Sequence, residues 1–310
     1  MATGFFTDEL FLEHRTGTHP ERPERISVAR EHLEKQQYFG RLHTLPRRFA
    51  SNEELQLVHP ADHIARVQAV SERGGGMLDP DTVLSRQSFE AARLAAGAGL
   101  SAVDAIQAGQ IDRAFLLVRP PGHHALAERA MGFCLFANVA VCARYAQSKG
   151  FAKVAIVDWD VHHGNGTEAI FYTDPTVLFT SIHQYPFYPG TGAASDTGTL
   201  AGEGFTLNVP MQAGSDDAAY EKKLHEVMLP AIERFEPDLM IISAGFDAHR
   251  ADPLGGMNLS TNAFARFTQL VLDCATQSSS CKGRVISMLE GGYDLSALAE
   301  SAEVHLAGLV

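Results

Sequence analysis

Cysteine is scarce in this chain of 310 residues, and tryptophan occurs once. The four cysteines (Cys134, Cys142, Cys274 and Cys281) include no Cys-x-x-Cys pair, so the default is a reduced, cytoplasmic setting rather than an oxidised one. Basic residues are also short: 25 Lys and Arg face 37 Asp and Glu, a net charge of −12. That balance argues against nucleic acid as a direct ligand, because a phosphate backbone is bound through basic patches. It is compatible with a basic partner such as a lysine-rich polypeptide. Long apolar runs are missing too. The most apolar stretch, Gly132 to Ala143, is too short to span a bilayer and contains Asn138, so no membrane partner is expected. Met1 to Leu12 carries Asp8 and Glu9 without a basic cluster, and no signal peptide is read there. No repeat and no long linker divides the chain, which is read as one domain over residues 1–310.

The most informative stretch present is Val154 to Glu168, VAIVDWDVHHGNGTE. Its apolar start, Val154 to Val157, is the pattern of a strand buried on both faces. The strand then runs into Asp158, Asp160 and His162, which a two-residue period puts on one side of an extended segment. Acids and imidazoles at a buried strand end need compensation, and a divalent cation is the usual one. A solvated loop with an acidic edge is the plainer alternative. Gly164 and Gly166 break the strand, and Thr167 and Glu168 open a short helix to Tyr172.

From Gly4 to Ile26 the chain is polar and turn-rich, and a surface loop is expected, with a helix following from Ile26 to Gln37. Leu55 to Val58 predicts a short strand or turn, Ile64 to Ser71 a helix, and Gly74 to Gly76 with LDPDT an exposed loop. Helices are predicted over Ser88–Ala108, Asn138–Lys149, Asp217–Phe235, Thr261–Gln277 and Leu295–Ala307. Strands are predicted over Ala114–Val118, Val177–Ile182, Phe205–Val209, Leu239–Ser243 and Arg284–Met288, besides the one at Val154. The alternation implies an α/β fold with a mostly parallel sheet and helices on both faces.

Ligands of such sheets gather beyond the carboxyl ends of the strands. There AFLLV leads to RPPGHHA, VAIV to DWDVHHG, LMIIS to AGFDAHRADPLGG, and VISM to LEGGYD. His123 and His124, Asp160 and His162, Asp247, and Tyr293 therefore converge on one rim. Each cluster alone has a dull reading, such as adjacent loop histidines or a capping aspartate. Together they form a constellation.

These motifs, with HPERPERI near the N-terminus and YPGTG at Tyr188 to Gly192, resemble the histone deacetylase superfamily, in a class II-like variant. The resemblance covers nearly the whole chain. It implies a single arginase-like domain around an eight-stranded parallel sheet. It also implies one catalytic divalent metal bound by Asp160, His162 and Asp247, usually zinc, with iron(II) an alternative in the cell. His124 is then the general base and acid, and His123 its partner, oriented by Asp158. Tyr293 becomes the donor to the developing oxyanion. Gly132, Phe133 and Tyr188 match the walls of a tube for an acyl-lysine side chain. Asp158, Asp160, His162 and Ser181 match an inner monovalent-cation site, normally potassium.

One position departs from class I members. Behind the second histidine stands Asn165 rather than an aspartate, so its amide oxygen can fix the imidazole tautomer but supplies no charge to raise its pKa. The expected substrate is an acyl-lysine protein or peptide, with a small acetylated amine as the alternative. Leu254 stands where polyamine-selective relatives carry a glutamate, which favours the first. A silent acetyl-lysine binding module fits poorly with a full set of ligands, histidines and Tyr293. The second ligand set of a binuclear arginase-like manganese hydrolase is not found.

Overall fold

The computed structural model describes residues 2–310. In chain order its strands are β1 (Thr3–Phe6), β2 (His43–Thr44), β3 (Gly75–Asp79), β4 (Thr82–Ser85), β5 (Arg113–Leu116), β6 (Val154–Asp158), β7 (Val177–Gln184), β8 (Thr206–Met211), β9 (Leu239–Ala244) and β10 (Val285–Leu289). The α-helices are α1 (Glu24–Leu33), α2 (Asn52–Leu55), α3 (Ala61–Glu72), α4 (Ser88–Gln107), α5 (Asn138–Ser148), α6 (Asn165–Phe171), α7 (Asp217–Lys223), α8 (Leu229–Phe235), α9 (Thr261–Gln277) and α10 (Leu295–Leu309). Eight strands form one all-parallel sheet in the order β2-β1-β5-β10-β9-β6-β7-β8, while β3 and β4 make a separate antiparallel hairpin.

The strands β6, β7, β9 and β10 are buried along their whole length, as their largely apolar sequences suit in a sheet covered on both sides. Successive residues of β10 show the two layers. Met288 reaches Gly99 of α4, where Cys142 of α5 also packs, while Ser287 hydrogen-bonds His305 of α10 on the other face. Helices α1 and α9 pack on α10, and α5 on α4.

The structure refines the sequence pattern in several places. The expected loop Gly4 to Ile26 contains β1 and a 3-10 turn over Glu9–Glu13. Four buried residues are too few to display a period. Of the short strand or turn expected over Leu55–Val58 the structure has the turn, at Gln56–Val58, following a one-turn helix, α2, held by a capping box between Ser51 and Glu54. The expected loop at Gly74 is the β3–β4 hairpin, turned through Pro80 and Asp81. The long helix expected from Asp217 is continuous, but widens to a π-turn over Leu224–Met228 just before Pro230. Proline has no N–H to give to the helical ladder, and the wider turn lies where the ladder is disturbed.

Candidate active site

The four strands that carry the unusual motifs, β5, β10, β9 and β6, are consecutive neighbours in the centre of the sheet. Being parallel, they end on the same rim, and their loops meet there. β6 stops at Asp158 instead of extending to His162. The alternation is kept by side-chain bonds: the Asp160 N–H donates to Asp158 Oδ1 (3.1 Å), and the His162 N–H to Asp160 Oδ1 (2.9 Å).

Asp160, His162 and Asp247 are all buried, and each offers a ligand atom within 4.8 Å of the others. Backbone N–H groups tether both carboxylates. Asp160 Oδ2 accepts from the Gly291 N–H and Asp247 Oδ1 from the Val161 N–H, both at 2.8 Å. Asp160 Oδ1, which also accepts the His162 N–H, and Asp247 Oδ2 lie 3.1 and 3.2 Å from His162 Nδ1. A single ring nitrogen cannot satisfy two buried carboxylates with one proton. Bonds of ~2.0–2.1 Å from a tetrahedral cation imply ligand atoms roughly 3.3 Å apart, so this trio fits a divalent ion. The charges agree. Burial and the Asp160 charge push Asp247 up to about 7. Burial opposes protonation of His162, but its hydrogen bonds to both carboxylates prevail and raise it to about 10. Gly291 has to be glycine here, since a Cβ would fall 2.0 Å from Asp247 Oδ2.

His123 and His124 sit side by side, rings 4.0 Å apart, in opposite electrostatic settings. His123 Nδ1 lies 3.0 Å from Asp158 Oδ2. Burial lowers its pKa, but the charges of Asp160 and Asp158 outweigh this and hold it well above the ordinary imidazole value. Burial, then the charges of His123 and His162, push His124 well below that value. His124 Nδ1 meets Asn165 Oδ1 at 2.8 Å, which assigns the proton to Nδ1 and leaves the Nε2 lone pair free. The surroundings thus favour the charged form of His123 and the neutral form of His124.

A cavity of about 420 Å³ opens above these groups, lined by His124, His162 and Tyr293 at depth and by Gly132, Phe133, Phe187, Tyr188 and Leu254 along its walls. Phe187 stacks on His162 at 5.4 Å, and Tyr188 meets His124 edge-on at 5.1 Å. Phe133 holds a left-handed backbone (φ 70°), a conformation costing about 1–3 kcal/mol for a bulky residue, and its N–H is held by Thr82 Oγ1 of the hairpin. Gly132 precedes it because a Cβ would sit 2.4 Å from the His124 ring. Ser181 lies beside Asp158 across the β6–β7 pair, its hydroxyl bonded to His183 Nδ1 (2.9 Å).

Four contributors escaped the sequence reading. Arg25 covers the Tyr293 ring at 4.9 Å and donates to the Gly292 and Glu290 carbonyls. Glu290 accepts the Gly122 and His123 N–H groups. Asp81 lines the cavity, and Asp252 accepts the Tyr293 N–H. HPERPER marked the first segment and LEGGYD the second, but nothing in either said that they touch.

The profile of the histone deacetylase domain matches residues 19–309. The chain belongs to the histone deacetylase family. It is 42% identical over 311 residues to the histone deacetylase-like amidohydrolase of Pseudomonas aeruginosa, covering 94% of this chain and 81% of that protein. Histone deacetylase 15 of Arabidopsis thaliana is 42% identical over 311 residues, with 97% of this chain matched but only 55% of the relative's length. The crystal structure of the HDA15 HD domain matches with a TM-score of 0.95 at 41% identity, covering 99% of this chain and 89% of that one. The fold is the family's arginase-like α/β domain. As a histone deacetylase family member the protein is a hydrolase of amide bonds, a deacetylase.

Proposed function

We propose that this deacetylase is zinc-dependent and removes acetyl or related acyl groups from the ε-nitrogen of lysine in proteins or peptides. The observation that carries this reading is the cavity itself: a tube with aromatic walls, Phe133, Phe187 and Tyr188, is also lined by His162, which belongs to the trio with Asp160 and Asp247. An acyl-lysine side chain is an apolar tether with a polar amide at its end, and such a tube suits it. When bound by the trio, a divalent cation supplies Lewis acidity to the amide carbonyl and to an attacking water; zinc is the family's usual ion, and iron(II) is the alternative. Neutral His124 takes the proton of that water on Nε2 and returns it to the leaving amine. Charged His123, paired with Asp158, holds positive potential beside the reacting carbonyl. Tyr293 donates its hydroxyl to the developing oxyanion. Asp158, Asp160, His162 and Ser181 would hold a monovalent cation such as potassium, which would supply positive charge next to the buried carboxylates.

One observation favours a second reading, a small acetylated polyamine. Asp81 puts a carboxylate on the cavity wall, where burial and the neighbouring Asp79 raise its pKa to about 6, so it is mainly anionic at neutral pH. Against this stands Leu254, which is apolar where a second cationic centre needs a partner. The test is kcat/KM for an acetyl-lysine peptide against acetylputrescine, with the parent and with Leu254→Glu. The expected result is a preference for the peptide that the substitution shifts toward the polyamine. Preference of the parent for acetylputrescine overturns the lysine assignment but not the chemistry.

A further inference from the structure

Tyr293 follows two glycines and precedes α10, so its backbone belongs to neither strand nor helix. Gly292 adopts φ 122°, and such a segment has little stiffness of its own. The phenol must nevertheless reach one point in the cavity, and a small tilt at the backbone is amplified at the far end of the ring. Something has to hold the peptide. Asp252, from the loop after β9, is buried against this turn. Its Oδ2 accepts the N–H groups of Tyr293 (2.6 Å) and Asp294 (3.2 Å), and its Oδ1 accepts the N–H of Leu254 (2.9 Å).

We propose that Asp252 is a positioning residue of the deacylation reaction: it accepts three backbone N–H groups and thereby fixes both Tyr293 and, opposite it, the Leu254 rim. The inference rests on Tyr293 being the oxyanion donor, as proposed above. Only a carboxylate serves all three donors, since it accepts through both oxygens and donates through neither. These bonds are charge-assisted, which makes them stiffer than amide–amide ones. An asparagine keeps the volume but turns an NH2 toward either Leu254 or the Tyr293 and Asp294 pair, leaving a buried N–H without an acceptor.

The test is a double-mutant cycle on an acetyl-lysine peptide with the parent, Asp252→Asn, Tyr293→Phe and the combined variant. Metal content and thermal midpoint are measured for each. Asp252→Asn is expected to lower kcat by about 10–100-fold, the scale of a misplacement of about 1 Å. In the Tyr293→Phe background the same change is expected to lower kcat by less than about threefold, because the hydroxyl it aims is already gone. Any remaining effect falls on KM, through Leu254. An equal loss of kcat in both backgrounds overturns the proposal and makes Asp252 a structural residue only. Undiminished turnover in Tyr293→Phe alone overturns the role of Tyr293 instead, so the two failures are distinct. If Asp252→Asn does not fold, Asp252→Glu, which keeps the charge and displaces it, is run through the same cycle with the same expectations.

Discussion

A phenol that is to donate a hydrogen bond has to keep its proton, and burial does this for Tyr293. Burial raises its pKa; Arg25 acts against this, while the charges of Asp247 and Asp160 add to it, and the result lies well above the ordinary phenol value. The hydroxyl is therefore a donor across the working pH range. Tyr293→Phe is expected to keep the bound metal and change KM little while lowering kcat by about 10²–10³-fold, the usual effect of losing one oxyanion donor. Steady-state kinetics with elemental analysis check this, and near-parental kcat would mean that another group stabilises the oxyanion. Neighbours in the candidate site were legible in the sequence when motifs surrounded them, as for His124 with Asn165 or Asp160 with His162. Arg25 was not, because its partner carbonyl at Gly292 lies 267 positions away and no local spacing encodes that contact. Asp252 was hidden for the same reason, inside the ADPLGG motif that drew attention to Leu254.

Among the secondary elements, the inner strands β5, β6, β7, β9 and β10 were visible as mainly apolar runs, since burial on both faces favours hydrophobic side chains, and the edge strand β8 was visible as well. β2, at the other edge, and β1 beside it were not, being two residues and four residues long. What fastens that edge to the site is a buried ionic group that composition does not reveal. Glu21 meets Arg25 at 3.1 Å and Arg119 at 2.5 Å, with all three side chains almost fully enclosed. Arg119, just beyond β5, also donates to the Phe11 and His14 carbonyls, and so ties the N-terminal turn to the histidine loop. Burial alone would raise the Glu21 pKa, but the Arg119 charge holds it well below the usual carboxylate range. Glu21→Gln leaves two buried guanidinium groups without a counter-charge. It is expected to lower stability by about 3–5 kcal/mol, measured by urea unfolding with the m-value monitored. A change within about 0.5 kcal/mol would mean that the carbonyls alone satisfy both arginines.

Taken as a whole, the molecule encloses several histidines in neutral form, and this sets its response to acid. Burial lowers His305 to about 3, and it lies between Phe115, Trp159 and Phe246, bonded to Thr268 and Ser287. Burial, then the charge of His163, takes His183 to about 3, and burial takes His59 to about 4. Below pH 6.5 the unfolded chain binds protons at these positions and the folded one does not. Their stabilisation is therefore complete above pH 6.5 and is lost as pH falls toward the folded values, by up to about 1.4 kcal/mol per pH unit for each. Glu290, raised to about 7 by burial, acts in the opposite sense between pH 7 and 4.5, so one histidine is best isolated. Relative to His305→Gln, the parent is expected to lose stability from pH 6.5 down to about 3. A difference that does not change with pH would show that His305 is not held neutral. No helix among the described residues is long and apolar enough to cross a membrane.

The convergence of four adjacent strand ends on Asp160, His162 and Asp247 has one chemical meaning in this account, a catalytic divalent cation. Turnover of an acetyl-lysine peptide by protein stripped of metal, with the residual content fixed by elemental analysis, tests it most directly. The stripped protein is expected to show no turnover, to recover at about one equivalent of added zinc, and, once reloaded, to be inhibited by a hydroxamate chelating the open positions of the ion. Full turnover in metal-free protein would contradict it.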